Sequence, residues 1–406
     1  MVSNETNVAF VFKKRYSDDQ VMDGARRGHP VMSVMKKRDV MEGEKANYTY
    51  AVRIGNPQGV SATFADGQSA ISGSTGEQFS AVRRDQYGFI RLHGPSLRAA
   101  RKRGKGAFYD FVTMETDGII EERGDQHAHA MFGDGNGWLG RRSSASSDTI
   151  TLTVADHAHN FKIGMTVVAD NDIAGGSLRS GDTTVDAIDE DAGTIELASA
   201  GAIGSFADND YLFRIGDPGN QINGFQEFIP LTAPSFGVDS FRGVDRGRHA
   251  RLLAGVRTND PGGSMLENCG LTAVKIKQTS AVAGMKKKIA VLNPVNFWAI
   301  CRELNAKVTY DGGGDKATYG FEGFDIATPA GTVRAVSDAH CPTTLNWLLA
   351  MDTWYWATLD GWIHVIRDDK NQPFMRVSGA DQMELQIRSM GNPVCMMPGA
   401  NGIWAT

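Results

Sequence analysis

Between residues 287 and 367 the spacing of apolar positions changes period several times. The stretch opens with "KIAVLNPVNFWAICREL". Ile289, Val291 and Leu292 make a short apolar strand, Asn293-Pro294 turns it, and Phe297, Ile300, Cys301 and Leu304 then recur at helical spacing on one face. In "GFDIATPAGTVRAVSD" two short β runs flank Thr328-Pro329-Ala330-Gly331, a connection with turn residues where a hairpin needs them. The aromatic, β-rich run "LLAMDTWYWATLDGWIHVIRD" reads as two more strands. The pattern predicts a compact α/β unit with an apolar interior, suited to packing against copies of itself.

Upstream, residues 1–45 are polar and mixed, with one short helix in "KKRYSDDQVMDGARRGHP", and read as an extended arm. Across residues 46–100, Tyr48, Tyr50, Val52 and Ile54 alternate with smaller or polar side chains, as do Phe79, Ala81 and Arg83. The Gly/Ser-rich "GQSAISGSTG" lies between the two runs, so the whole reads as a long protruding β-hairpin with a flexible tip. A basic hinge, "LRAARKRGK", comes next, and then a long helix whose apolar side is marked by Phe108, Phe111, Val112, Ile119 and Ile120, with Gly118 a weak point. Residues 148–217 carry four or five short strands separated by Gly, Asp and Asn turns, which fits a small inserted β-barrel or sandwich. "RRSSASSD" leads in and "GDPGNQ" leads out as linkers. Residues 221–284 are loop-rich, and residues 368–406 give a returning strand and a terminal piece tied into the core by Ile403 and Trp404.

Charge sharpens this division. The net charge of the 406-residue chain is −5. Residues 148–217 hold 13 acidic against 3 basic side chains, leaving 34 acidic and 39 basic elsewhere. An acidic segment thus sits beside a mildly basic remainder, as in an insert displayed away from something anionic, or simply in a soluble acidic domain. No apolar run approaches the roughly 20 residues of a membrane-spanning helix, and the N-terminus lacks a secretory pattern. The four cysteines are far apart and read as reduced, buried side chains of a protein made in a cytoplasm.

Catalytic chemistry finds no support in the sequence. His127/His129 and His157/His159 are His-x-His pairs, but the first sits at a predicted helix end, where i and i+2 do not share a face, and the second has Asp156 beside it but no other strong ligand at metal-site spacing, so no metal or cofactor is expected. The glycine clusters "DGNG" and "DGGGD" are not followed by the Lys-Ser/Thr of a phosphate loop. The one cluster suited to polyanions is basic: Arg98, Arg101, Lys102, Arg103 and Lys105, with Arg83 and Arg84 on the preceding run, are candidate intersubunit or DNA-facing residues.

Arm, long hairpin, basic turn, long helix and an α/β unit of "LNPVNFW … GFDIATPAGTV … MDTWYW" texture together resemble the major capsid proteins of tailed double-stranded-DNA bacteriophages, the Hong Kong 97-type fold. The resemblance implies an α+β chain with an N-terminal arm (1–45), an extended loop (46–100), a peripheral domain with its spine helix (101–147) that returns at 218–286, an axial domain (287–367) and a C-terminal strand and tail (368–406). The acidic β-domain (148–217) would be an addition. It further implies a non-enzymatic virion protein that forms hexamers and pentamers with itself, touches packaged double-stranded DNA non-specifically, and works with separate scaffold, portal and decoration proteins, without a membrane. An encapsulin-like compartment shell is the alternative within the fold, though such chains tend to be shorter; a β-rich tail or adhesin protein is a more distant one. Some relatives become covalently chained through a lysine on the extended loop. Residues 46–100 contain no lysine, only Arg53, Arg83, Arg84, Arg91 and Arg98, and a permanently protonated guanidinium cannot replace the attacking amine.

Overall fold

The computed structural model describes residues 29–41, 47–95, 105–260, 262–279, 288–304, 323–328, 330–359, 361–367 and 373–406; for residues 105–111 and 113 it describes the backbone alone. All but the last two residues of the stretch 13–30, where a short helix is expected, the Asp311–Asp315 glycine cluster and most of the basic hinge fall outside the described residues.

Two six-stranded sheets form the body. The first is organised by the 14-residue strand Gln382–Cys395, which pairs with Trp354–Thr358, His364–Val365, Phe374–Arg376 and Arg84–His93. Lys36–Asp39 closes one edge, parallel to Trp354–Thr358, so part of the expected arm is built into the sheet. The second sheet runs Val256–Thr258, Gly402–Ala405, Leu345–Ala350, Lys288–Leu292, Gly331–Ser337, Gly323–Thr328. Its central strand is buried on both faces, as a strand covered on both sides must be. Ala290 and Leu292 face helices Met265–Gln278 and Pro294–Glu303, while Ile289 and Val291 face the aromatic core shared with the first sheet. Both helices are set by their first residues. Asn293 accepts the N–H of Val295 at 2.9 Å with Pro294 at the first helical position, and Ser264 and Glu267 form a capping box.

The chain crosses between the sheets at Met351–Thr353, a single turn of 3₁₀ helix. Residues 287–367 therefore do not form one unit. Leu345–Ala350 stays with the second sheet, whereas Trp354–Thr358 and His364–Val365 belong to the first. At this crossing Phe225, Phe228 and Trp354 pack edge to face with centroids 4.7–5.0 Å apart, beside Phe132 and Trp347.

The helix Lys105–Phe132 runs unbroken through Gly118, whose missing side chain would meet nothing within 4 Å. Its buried positions Val112, Thr116, Ile120, Arg123, His127 and Met131 recur every three or four residues. Two polar members are satisfied against the first sheet: Arg123 donates to the Tyr87 carbonyl, and His127 pairs with the Arg123 carbonyl and Ser389 Oγ, both at 3.0 Å. Burial holds His127 in its neutral form, its pKa pushed down to about 3.

Residues 138–214 form a closed six-stranded barrel with an apolar core of its own, including Ile150, Val167, Val185, Ile195 and Leu212. It begins earlier than residue 148. The first strand is Trp138–Ser146, so "RRSSAS" is strand rather than linker, its small polar side chains lying on the outer surface. Entry and exit touch, since Gly219 N–H donates to the Asn136 carbonyl at 3.1 Å. Barrel and helix also meet through the Arg214–Glu122 pair and a Gln126–Asp217 hydrogen bond of 2.9 Å.

Candidate assembly surfaces

The hairpin consists of Asn47–Gly55 and Thr75–Val82 and is shorter than the expected 46–100. After Arg83 the chain turns away, and Arg84–His93 pairs along its whole length with Gln382–Cys395. Alternation gives a strand's faces but not its partner, so the two strands look alike in sequence.

The hairpin base is clamped to its own subunit. Tyr50, Val52, Phe79 and Ala81 are buried in the main core, and Tyr50 stacks on Phe79 at 5.5 Å. Arg242 sits beneath, stacked over Phe228 at 4.5 Å and donating to Asn223 Oδ1 and the Pro393 carbonyl at 3.0 and 3.2 Å. Burial lowers the proton affinity of Arg242, which Tyr50 and Glu227 oppose. Asn392 on the long strand donates to the Val82 carbonyl at 2.8 Å, and Glu77 pairs with Arg248. These contacts fix the direction in which the hairpin leaves the body.

Beyond the base, residues 56–74 are almost wholly exposed. The tip carries a one-and-a-half-turn helix, Phe64–Ser69, capped by Thr63. Val60, Phe64 and Ile71 are 92%, 86% and 73% exposed. Three large apolar side chains on one projecting segment cost solubility unless another surface covers them. A second apolar pair, Val295 and Trp298, stands exposed on the helix Pro294–Glu303.

Of the basic candidates, Arg83 is half-buried and pairs with Asp85 at 2.8 Å. Arg84 is half-buried at the start of its strand, with Nε out of solvent and without a hydrogen-bond partner among the described residues. Both belong to the packing at the hairpin base. Lys105 is the first residue of the long helix, and Arg98, Arg101, Lys102 and Arg103 lie outside the described residues.

Within each His-x-His pair the two imidazoles have different surroundings. His127 is spent in the core, and burial also lowers His129, to about 4. His157 and His159 lie in a 3₁₀ segment, where His157 packs against Trp138 and His159 meets Glu190 at 3.2 Å. Another cluster has no signature in the sequence: His29, Asp125 and His340, whose ligand atoms lie within 4.8 Å of one another. Burial works against the Asp125 charge, but its contacts with the His29 and His340 imidazoles and the charges of His340 and Lys162 outweigh it, holding its carboxyl well below the usual range. No spacing rule links residues so far apart in the chain. Only the fold brings them together.

No protein-family model and no curated protein matches the sequence. Solved structures do. The chain is similar over 93% of its length to 92% of a chain in the cyanophage A-1(L) capsid asymmetric unit, with a TM-score of 0.54 and 9% identity. Weaker likenesses, both with TM-scores of 0.44, are to the capsid of a native GTA particle (9% identity; 94% of this chain, 89% of that one) and to the holo-SrpI encapsulin complex from Synechococcus elongatus (7%; 92% and 86%). The first shows that this chain has the fold of a phage capsid subunit. The other two are too distant to add to it.

Proposed function

We propose that the protein is the shell-forming subunit of a tailed-phage-type capsid, assembling with copies of itself around double-stranded DNA. The observation that carries the reading is the hairpin within this fold: a base locked into the subunit core and a tip whose apolar residues have no cover among the described residues. The tip would lie over a neighbouring subunit, and Val295 and Trp298 would face another copy. Expressed alone, the protein should sediment as large particles, and a Phe64→Ser/Ile71→Ser variant should shift strongly towards free subunits. Unchanged sedimentation of that variant would contradict the role given to the tip.

Arg83 and Arg84 are held in intramolecular packing, so non-specific contact with DNA falls to Arg98, Arg101, Lys102, Arg103 and Lys105. Scaffold, portal and decoration proteins are the partners such a shell would use. The long helix and first sheet would make the peripheral part, the second sheet the axial part. Among the described residues no helix is long and apolar enough to cross a membrane.

The barrel reads as an insertion into this plan. Its separate core and touching ends predict that replacing residues 137–218 by two glycines leaves a soluble chain with the remaining fold intact. Far-ultraviolet circular dichroism and a single cooperative melt would check this; an unfolded product would show the barrel to be part of the core. The lysine-free hairpin predicts a shell without covalent chaining. Particles boiled in denaturing detergent should release single chains near 43.9 kDa, and a ladder that survives reductant would refute it.

A further inference from the structure

His29, Asp125 and His340 come from three separate parts of the fold. His29 immediately precedes the short helix Pro30–Val34, Asp125 lies on the long helix, and His340 lies just beyond strand Gly331–Ser337. The Nε2 atoms of His29 and His340 stand 3.3 and 3.6 Å from the same oxygen, Oδ1 of Asp125. An N–H···O bond prefers about 2.7–3.2 Å, so both contacts are longer than usual. Around a tetrahedral ion with bonds of about 2.0–2.1 Å, neighbouring ligand atoms are about 3.3–3.4 Å apart. Both histidine–carboxylate separations are compatible with ligands sharing one cation, and all three ligand atoms lie within 4.8 Å of one another.

The surroundings fit the same reading. The His29 side chain is only 9% exposed, and its Nδ1 has no partner among the described residues, so its engagement is through Nε2. Its ring lies 5.0 Å from that of His340. The His340 loop is held in place by Asp338, whose Oδ1 accepts the His340 N–H at 3.0 Å and whose own N–H reaches the Leu292 carbonyl at 2.9 Å. Lys162 of the barrel sits 3.5 Å from the other Asp125 oxygen, Oδ2, and turns Oδ1 towards the imidazoles. It is the one nearby cation described that competes for the carboxylate, and its half-exposed side chain can swing into solvent. His340 also lines a cavity of about 300 Å³ between the long helix, the barrel and the second sheet.

We propose that His29, Asp125 and His340 bind one divalent transition-metal ion of the zinc class, with a fourth position left for water. Two imidazole nitrogens and one carboxylate oxygen select zinc, cobalt or nickel over magnesium or calcium, which require oxygen-rich cages. Such an ion would tie the N-terminal segment to the long helix and to the second sheet just past its inner strand Gly331–Ser337. The site is formed within one chain, so it stands or falls independently of whether the protein makes shells.

The test is titration of chelator-treated full-length protein with ZnCl₂, CoCl₂ and MgCl₂, read by calorimetry and, for cobalt, by the visible d–d bands of a low-coordinate site. Zinc and cobalt should each bind at one equivalent per chain and raise the melting temperature, and magnesium should do neither. Affinity should fall more than about tenfold in His340→Gln and His29→Gln, and stay unchanged in His159→Ala. The wild-type cobalt spectrum does not depend on any variant folding. Absence of stoichiometric zinc binding by the wild type, equal binding of magnesium, or full binding in a folded His29→Gln/His340→Gln protein would each overturn the proposal.

Discussion

Replacing residues 56–74 with an Asn-Gly turn is expected to abolish particles while leaving a folded subunit. The base strands keep their pairing from Asn47–Val82 to Gly55–Thr75, and Tyr50, Val52, Phe79 and Ala81 keep their places in the core. The removed segment buries no large apolar side chain against the described residues, so unfolding free energy should change by no more than about 0.5 kcal/mol. What disappears is the apolar surface of Val60, Phe64 and Ile71. Sedimentation and calorimetry on one preparation separate the two effects. Normal particles from the shortened chain would show that the tip has no part in assembly, whereas an unfolded product would show that the base relies on the tip.

The second large effect is on stability. Asn401 is fully buried where the chain passes between the two sheets. Its Oδ1 accepts the Ala350 N–H at 2.8 Å and the Trp354 indole N–H at 2.9 Å, while Nδ2 donates to the Met397 carbonyl at 2.9 Å and to Thr353 Oγ1 at 3.2 Å. Asn401→Ala would strand two donors, the Ala350 N–H and the Trp354 indole N–H, out of reach of water, while the Met397 carbonyl keeps the Ala400 N–H at 3.0 Å. At about 1–3 kcal/mol for each unsatisfied group, the loss should be roughly 4 kcal/mol, a large share of the roughly 5–15 kcal/mol typical of a folded domain. Denaturant unfolding of the two proteins measures it. A change below about 1 kcal/mol would mean that water or a rearranged turn takes over these bonds. Asn401→Asp keeps the acceptor but places a charge in the core, so it should not rescue.

The same crossing marks a limit of what the sequence shows. The unit from Lys288 to Glu303 is readable because a cap, a proline and a helical period coincide at Asn293, Pro294 and Ile300. The aromatic run after Leu345 cannot be separated into two sheets, because strands buried on both faces have no alternation to mark where one sheet ends. Arg84–His93 reads as part of the hairpin because its partner, Gln382–Cys395, lies nearly three hundred residues away. Helix Met265–Gln278 is readable in principle: "SMLE" is a capping box, and Cys269, Ala273 and Ile276 recur at helical spacing, but the glycines before it give the region the texture of a loop. Lys36–Asp39 has no apolar signal at all, its four residues being exposed on an edge. On the long helix, Arg123 and His127 occupy buried positions and dilute its apolar stripe. The His29–Asp125–His340 cluster shows the limit most plainly, since each member is unremarkable in its own stretch of sequence.

Electron microscopy of the purified full-length protein, expressed alone and with the product of the neighbouring gene, tests the central claim most directly. Closed icosahedral shells built from hexamers and pentamers are the predicted result, with nuclease-protected DNA inside particles from the native source. Tubes, fibres, or single subunits in both preparations would contradict the account, and shells filled with protein cargo in place of DNA would transfer it to a compartment shell.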